Sequence, residues 1–356
     1  MPSLALVVPG DLATRTGGYG YDRRILAGLK ARGWTAAVVA LDASFPLPTP
    51  PARAHAVRSL AAIPDGSLVM IDGLALGAMP SEIEREQQRL RLVGLVHHPL
   101  AHETGLEPAV AAALEVSERR ALAAVRHVVV TSRGTADGLL RYGVDRHRVT
   151  VVEPGTDPAP LAARDSSSER MDNSLNLLCV ASITPRKDHQ VLIDALAMLS
   201  DRQWQLRCAG ALDRDSPTVV RLRARIDEAG LTGRVWLLGD LNEAEVAAEY
   251  HRADVFVLPT QHEGYGMAVA EALARGLPVI STPTGAIADL VGAAAGILVA
   301  PRDVAGLAHA LRRIMDDTTL LAELAAGARR VRSHLPTWDD ATGKMAAVLD
   351  RVTHDV

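Results

Sequence analysis

The chain has 356 residues, enough for two domains of ordinary size, and its 48% hydrophobic and 22% charged residues are typical of a globular protein. A formal net charge of −4 argues against a nucleic-acid binder that relies on a basic surface. No apolar run approaches the roughly 18 residues of a membrane span. The start, MPSLALVVPGD, lacks the features of a signal peptide, and Cys179 and Cys208 lie in apolar runs that predict buried, reduced thiols. We therefore expect a cytoplasmic protein.

The first elements predict a strand, a helix and a second strand. An apolar run at residues 4–8, a helix at 21–32 and the run TAAVVAL after Gly33 form a βαβ unit. The loop before the helix contains Gly17 and Gly18, which let the backbone approach a bulky ligand closely. A plain turn has the same spacing, and the dinucleotide fingerprint G-x-G-x-x-G is missing.

A proline-rich surface loop is predicted at residues 46–54, and a strand at 67–74 contains Asp72 near its end.

Two histidines follow the next predicted strand. The next strand, RLVGLV, runs directly into His97 and His98, which a proline follows. A histidine at the C-terminal edge of a strand is well placed for a cleft, although a structural hydrogen-bonding role is the alternative.

The polar loop after these histidines, LAHETGLEP, contains His102 and Glu103, which could line a binding site. A helix is predicted at residues 107–125 and a strand at 127–132. At the end of that strand Thr131 and Ser132 could face a cleft or cap the next helix, and we expect capping.

The clearest domain boundary is the segment at residues 156–174, TDPAPLAARDSSSERMDNS. It is rich in proline, serine and charge and has no apolar period, which is typical of a linker. A strand at 149–155 precedes it, and a new strand at 175–182 follows.

The turn after the strand at 175–182 contains two basic residues. Arg186 and Lys187 precede the helix VLIDALAML. Basic side chains oppose the positive end of a helix dipole unless an anion binds beside them. The turn therefore predicts an anion site in preference to a merely solvated helix start.

The stretch LPTQHEGYGMAVAEALARGLPVI, residues 258–280, predicts a strand end, a loop, a short helix and another strand. The apolar run at 253–258 supplies the strand, and the helix begins near Met267, after Gly264 and Gly266. Ligands bind at this edge of an open α/β sheet, and a helix N-terminus offers free N–H groups to a phosphate.

Two carboxylates flank this helix start, Glu263 in the loop and Glu271 in the first turns of the helix. A glutamate beside a bound phosphate could accept a hydrogen bond from a sugar hydroxyl. The string EGYGMAVAEALARGLPVI, with its Glu-x7-Glu spacing, strongly resembles the donor-binding signature of the retaining glycosyltransferases of family 4. The resemblance covers nearly the whole chain and is strongest at residues 230–299.

The resemblance implies an α/β fold of two Rossmann-like domains facing across a cleft, the GT-B architecture. It implies an N-terminal, acceptor-side domain at residues 1–160 and a C-terminal domain at 174–335 that binds the nucleotide-sugar donor. It also implies a tail helix at 336–356 that packs back on the first domain.

The family's motifs assign roles to individual residues. A histidine directly after the corresponding strand contacts the donor sugar and the reaction centre; His97 aligns best, with His98 as the second choice. Lys187 holds the position of a lysine that touches the donor diphosphate. Ser182 stands where the family has an arginine at the strand end, and we expect Arg186 to supply the missing charge.

The other implied roles concern the donor's sugar and ribose. Glu263 is implied to bind sugar hydroxyls, and Glu271 the nucleotide ribose. The remaining implied donor-binding positions are Gly17, Gly18, Gly264, Tyr265, Gly266 and Met267. The residues expected on the acceptor side are His98, His102 and Glu103.

The implied reaction is glycosyl transfer with retention of the anomeric configuration, without a cofactor or a metal ion. An oxygen of the leaving phosphate is inferred to take the acceptor's proton in such enzymes, so no protein base is required. The one D-x-D motif, Asp213-Arg214-Asp215, lies in a loop away from the glutamates and predicts a solvated turn.

Two alternatives stay open. A sugar-nucleotide epimerase or hydrolase on the same fold would need a carboxylate pair near the anomeric carbon, which the sequence does not locate. A non-catalytic sugar-nucleotide-binding protein is favoured only by Ser182. The sequence does not name the sugar, the nucleotide (UDP, GDP or ADP) or the acceptor, whether small-molecule, lipid-linked or saccharide, and it leaves peripheral membrane contact and oligomeric state open.

Overall fold

Short apolar strands alternate with helices along the chain, as the pattern of the sequence predicts. A computed structural model describes residues 1–103, 105–163 and 174–354. The chain divides into two compact units, Met1–Gly155 with Pro336–Val356, and Thr156–Leu335. In the described residues each unit contains one parallel 6-stranded sheet with helices, so the predicted α/β fold is confirmed.

The first unit is built on a sheet whose central strands are buried. Its strands are β1 (Ser3–Pro9), β2 (Thr35–Leu41), β3 (Leu68–Asp72), β4 (Arg91–Val96), β5 (His127–Val130) and β6 (Val149–Val151). Their order is β2-β1-β3-β4-β5-β6. Asp72, the last residue of β3, pairs with Leu95 near the end of β4, so the residues that follow these two strands emerge at the same edge.

Six helices of the first unit lie before the boundary, in the part of the chain that the structure describes. They are α1 (Gly17–Ala31), α2 (Pro50–Ala61), α3 (Gly73–Leu76), α4 (Pro80–Glu86), α5 (Pro108–Ala124) and α6 (Arg133–Leu139). Ser132 caps α6 by accepting a hydrogen bond from the backbone N–H of Thr135 at 3.1 Å, as predicted.

Helix α1 begins earlier than predicted. The sequence predicts a start at Tyr21, whereas the helix begins at Gly17. Thr16 causes the difference, because its Oγ1 accepts a hydrogen bond from the backbone N–H of Tyr19 at 3.2 Å and caps the first turn. Gly17 and Gly18 therefore belong to the helix, and the prediction that they lie in the preceding loop is wrong.

The prediction of a surface loop at residues 46–54 is wrong in its second half. Thr49 caps α2 by accepting a hydrogen bond from the backbone N–H of Ala52 at 3.3 Å, and prolines occupy the first helical positions. Proline fits there because its fixed φ suits the first turn and the missing N–H has no partner within the helix. These prolines thus start a helix.

The second unit repeats the architecture. Its strands are β7 (Leu175–Val180), β8 (Trp204–Ala209), β9 (Val235–Gly239), β10 (Val255–Leu258), β11 (Val279–Ser281) and β12 (Gly296–Leu298), in the order β12-β11-β10-β7-β8-β9. Its helices are α7 (His189–Ala197), α8 (Ser216–Glu228), α9 (Glu243–Arg252), α10 (Met267–Ala274), α11 (Ile287–Val291), α12 (Val304–Asp316) and α13 (Thr318–Val331). Of the predicted linker at 156–174, residues 164–173 lie outside the described residues.

The last helix, α14 (Trp338–His354), returns to the first unit. Arg32 at the end of α1 donates a hydrogen bond to Asp339 Oδ1 at 2.6 Å. The ring of Trp338 lies 6.0 Å from that of Tyr21 and 5.0 Å from the guanidinium carbon of Arg24. Residues at both ends of the chain therefore complete one hydrophobic unit.

Two sequence predictions about compartment can be compared with the structure. Cys179 and Cys208 face each other on β7 and β8, and both are buried and free, as predicted. No helix among the described residues is both long and apolar enough to cross a membrane.

Candidate functional site

In the second unit, the predicted donor-binding segments meet where the strand order of the sheet reverses. Strands β7 and β10 are neighbours, although β8 and β9 come between them in sequence. In open α/β sheets ligands bind beyond the carboxyl ends of the strands at such a point. The loop after β7 leads to Lys187 and the loop after β10 leads to Glu263, so the fold brings these two residues together.

Hydrogen bonds join the two loops. The carbonyl of Arg186 accepts hydrogen bonds from the backbone N–H of Gln261 at 2.8 Å and from Thr260 Oγ1 at 3.1 Å. The side-chain amide of Gln261 donates to Asp188 Oδ2 at 2.8 Å. The 3₁₀ turn Pro185–Lys187 is therefore fixed against the loop that holds Glu263.

Two cations surround one carboxylate at this edge. Lys187 Nζ donates a hydrogen bond to Glu263 Oε1, and Arg186 NH1 lies 3.6 Å from the same oxygen. Arg186 also donates to the carbonyl of His262 at 2.8 Å. The anion that the sequence predicts beside these basic residues is, in this structure, the protein's own Glu263, and the three side chains leave one positive charge in excess.

The loop after β10 needs a glycine opposite it. A Cβ at Gly285 would stand 2.0 Å from the carbonyl oxygen of Glu263 and 2.5 Å from that of Gly264, and Gly285 has φ +58. Helix α10 begins at Met267, as predicted, directly after Gly266 with φ 97. Gly285 thus lets the segment that holds Glu263 pack closely against the loop before α11.

Tyr265 and Met267 contribute to packing inside the second unit. Tyr265 is buried in a small cluster with Ala270 and Ala286, and Met267 packs against this cluster. A donor-binding role for these two side chains stays a prediction.

Glu271 lies in the second turn of α10. Its Oε2 accepts a hydrogen bond from the hydroxyl of Tyr250 at 3.1 Å, and Arg275 donates to its backbone carbonyl at 3.0 Å. Burial raises the pKa of Glu271, against the effects of Tyr250 and Arg275. Tyr250, which the sequence did not single out, fixes the position of this carboxyl group.

In the first unit, His97 lies against Gly18 of α1. A Cβ at Gly18 would lie 3.3 Å from His97 Cδ2 and 3.4 Å from Nε2, so a larger residue there would crowd the ring. The ring of Tyr21 packs edge-on against His97 with 5.5 Å between centroids. The hydroxyls of Thr131 and Thr135 donate to the carbonyl of His97 at 3.4 Å each.

Two buried carboxylates that sequence analysis missed face His97. Its Nε2 lies 3.4 Å from Asp22 Oδ1 and 3.7 Å from Asp72 Oδ2. Burial and the neighbouring Asp22 raise the pKa of Asp72 to about 7. Burial disfavours the charged form of His97, but Asp22 and Asp72 outweigh it and raise the pKa of His97. The sequence signals were weak: Asp72 ends a strand, and Asp22 lies among apolar positions of α1.

These three side chains are also the group in the described residues whose geometry could hold a metal ion. Their ligand atoms all lie within 4.8 Å of one another. The D-x-D motif in the second unit has a different use, because Asp215 caps α8 by accepting a hydrogen bond from the backbone N–H of Thr218 at 2.9 Å.

The predicted acceptor-side residues lie close together. His98 Nε2 is 3.4 Å from Glu103 Oε2, and His102 ends the 3₁₀ turn Leu100–His102. Burial and the neighbouring His98 lower the pKa of His102. Thr104, in the same predicted loop, lies outside the described residues.

A buried glutamate anchors this turn. Glu118 on α5 accepts a hydrogen bond from the backbone N–H of Leu100 at 3.0 Å. Burial raises the pKa of Glu118 to about 8, despite that hydrogen bond. The carboxyl group that holds the turn after His97, that of Glu118, therefore favours its neutral form.

Two family models match the chain. The model described as "Glycosyl transferases group 1" matches residues 163–331, and the model described as "Glycosyltransferase Family 4" matches residues 72–160. A curated D-inositol 3-phosphate glycosyltransferase of Xylanimonas cellulosilytica is 31% identical over 252 residues, or 67% of this chain. The chain spans 60% of that relative's own length.

Solved structures share the fold over almost the whole chain. A sucrose-phosphate synthase from Thermosynechococcus elongatus is similar with a TM-score of 0.83 and 22% identity, over 99% of this chain and 99% of that one. The Anabaena protein HepE, solved in complex with UDP-glucose, is similar with a TM-score of 0.77 and 19% identity, over 97% of this chain and 99% of that one. At these identities the likeness establishes the GT-B fold alone.

Proposed function

The chain belongs to the group 1 glycosyltransferases of family 4, and from this premise we propose that it transfers a sugar from a nucleotide-sugar donor to an acceptor. We further propose that the transfer retains the anomeric configuration and requires no metal ion. The observation that supports the proposal is the group formed by Arg186, Lys187 and Glu263, at the point where the strand order of the second sheet reverses.

This group suits a leaving nucleoside diphosphate. The phosphates carry several negative charges, and cations fixed before the reaction stabilise charge that develops in the transition state. In the proposal, Lys187 and Arg186 take the diphosphate as their partner. Arg186 supplies the charge that the family places at the position of Ser182.

Glu263 then exchanges its ion pair for hydrogen bonds from sugar hydroxyls. Glu271 binds the ribose, held in place by Tyr250. Hydrogen bonds from several hydroxyls offset part of the loss of this charge-assisted bond.

His97 orients the sugar in the proposed reaction and stabilises its cationic transition state. The acceptor lies on the side of the first unit, near His98, His102 and Glu103. A phosphate oxygen of the leaving group takes the acceptor's proton. We also propose a cytoplasmic location, which two free buried thiols suit.

The test begins with thermal melting against UDP-, GDP- and ADP-linked sugars, with UDP-glucose first. A donor at about 100 times its Kd should stabilise the protein by about 2.7 kcal/mol. The variant Glu263→Gln should lose most of this stabilisation, whereas Glu228→Gln, at an exposed position of the same unit, should keep it.

The stabilising donor is then incubated with acceptors that include inositol phosphates, and the anomer of the product is determined by NMR. We expect acceptor-dependent release of nucleoside diphosphate and a retained anomer. No stabilisation by any sugar nucleotide would contradict the proposal, and release that is equally fast without acceptor would indicate a hydrolase.

A further inference from the structure

Asp22 is a buried acid that its own helix does not need. Its side chain is 0% exposed, and neither carboxylate oxygen has a hydrogen-bond partner among the described residues. Burying a carboxylate without partners is strongly unfavourable, and an apolar side chain would fill the same space without that penalty. The position therefore has another use.

Among the described residues, the ion-pair partner of this carboxylate is His97, with 3.4 Å between Asp22 Oδ1 and His97 Nε2. Asp72 lies at 3.7 Å from the same nitrogen, but it has a separate structural task. Its Oδ1 accepts a hydrogen bond from the backbone N–H of Leu74 at 2.9 Å and caps α3. Asp22 accepts no comparable bond from the described residues, so the effect of its carboxylate falls on His97.

The remaining contacts of His97 restrict the ring further. Nε2 is shielded from solvent, although 21% of the side chain is exposed. Gly18 lies against the Cδ2 edge and Tyr21 packs edge-on against the ring. Because Nε2 points at the buried carboxylates, Nδ1 is the ring nitrogen left for a substrate.

We propose that Asp22 is a positioning residue for His97. In this proposal Asp22 accepts a hydrogen bond from Nε2–H of His97, and the ring therefore presents Nδ1 to the donor sugar. A hydrogen bond to one ring nitrogen fixes both the tautomer and the orientation of an imidazole. The part that concerns the sugar rests on the proposed function. The part that concerns the ring does not, and the first experiment addresses the ring alone.

The first experiment is 15N NMR of the protein with labelled histidine, in which His97→Gln identifies the His97 signals. In the wild type we expect Nε2 to carry the proton. Asp22→Leu should move both ring-nitrogen signals of His97, and Asp22→Asn, which keeps an acceptor oxygen, should move them less. Asp65→Asn, at a position whose side chain is 82% exposed, should leave them unchanged.

Unchanged His97 signals in Asp22→Leu would overturn the proposal whether or not the protein transfers sugars. A titration with Mn²⁺ adds a second way to overturn it. Broadening confined to His97, present in the wild type and absent from Asp22→Leu, would show that the three side chains bind a cation instead.

The second experiment separates positioning from a structural role. Asp22→Leu should melt close to the wild type, because removal of a buried polar group offsets the loss of its contact with His97. The kcat of Asp22→Leu is then measured with the donor identified above. It should fall about tenfold to a hundredfold, the range for a lost hydrogen bond to a charged group, and the KM for the donor should change little. A lower melting temperature, with kcat and KM affected alike, would overturn the proposal.

Discussion

The two units place opposite charges at matching points of their sheets. In the second unit, two cations surround one carboxylate, and the pair between Lys187 and Glu263 is already formed. In the first unit, two carboxylates surround one histidine, and the oxygens of Asp22 accept no hydrogen bond from the part of the chain that the structure describes. In the second unit a hydrogen bond joins the opposite charges, whereas in the first unit Asp22 Oδ1 lies 3.4 Å from His97 Nε2.

The difference indicates two ways of using charge at a site. The side chains of Arg186, Lys187 and Glu263 are mostly buried but remain 10% to 20% exposed, and in the proposed function they exchange one partner for a ligand. Asp22 and Asp72 are at most 2% exposed, so we expect them to act on a ligand through His97. Substitutions in the cationic group of the second unit should therefore change the contacts with the donor directly. Substitutions of the buried carboxylates in the first unit should act through the ring of His97.

The largest effect is expected at the cationic group. Lys187→Ala should reduce turnover about a hundredfold or more, because one well-aimed donor to developing charge is worth about 3–4 kcal/mol. Lys344→Ala, at an exposed position of α14, is the matched control. Steady-state kinetics with the identified donor measures both. Equal turnover of the two variants would remove Lys187 from the proposed reaction.

A smaller effect is expected at the histidine. His97→Ala should lower kcat about tenfold or more and leave donor affinity nearly unchanged, since we expect its contact at the sugar and away from the nucleotide. The neighbouring His98→Ala provides the comparison. If His98→Ala shows this pattern and His97→Ala does not, the assignment is off by one residue.

Stability against pH tests the buried acids of the first unit. The folded pKa of Glu118 is about 8, above its ordinary 4.5, so the folded state keeps a proton that the unfolded state releases between these values. Stability should therefore fall as pH rises through this window, by roughly 1–4 kcal/mol. Glu118→Gln should remove that fall.

Urea unfolding at about pH 5 and about pH 9 measures the effect. Glu115→Gln lies on the same helix, where its side chain is 44% exposed, and should keep the wild-type dependence. A Glu118→Gln protein with the wild-type pH dependence would show that this carboxyl group titrates normally in the folded state.

The smallest effect is expected from metal removal. If fixed cations balance the leaving group, turnover should survive excess EDTA with little change, because no ion is then needed against the diphosphate. A chelator-treated sample with added Mg²⁺ or Mn²⁺ is the control. Activity that disappears in EDTA and returns with either ion would contradict this account of charge at the site.

The sequence singled out the side chains that meet in the second unit better than those that meet in the first, for a physical reason. The residues from Glu263 to Met267 are contiguous, and Lys187 stands in a turn whose charge alone indicates an anion. Asp22, Asp72 and His97 come from three separate elements, and only the parallel register of the sheet brings them together. Sequence spacing contains no information about such a meeting.

Local competition explains the errors in the fold. Glycines and prolines usually indicate loops, but the hydroxyls of Thr16 and Thr49 satisfy the first backbone N–H groups and start helices at these positions. Tyr250 was missed for a different reason. Its hydroxyl reaches Glu271 from a neighbouring helix, a contact that only the fold creates.

Helix α14 has a consequence for biosynthesis. Because Trp338 packs beside Tyr21 and Asp339 pairs with Arg32, the first unit needs residues that the ribosome adds only after the whole second unit. A nascent chain would therefore expose the surface of α1 while the second unit folds, and domains usually fold in order of synthesis. In this protein the unit that is begun first is finished last.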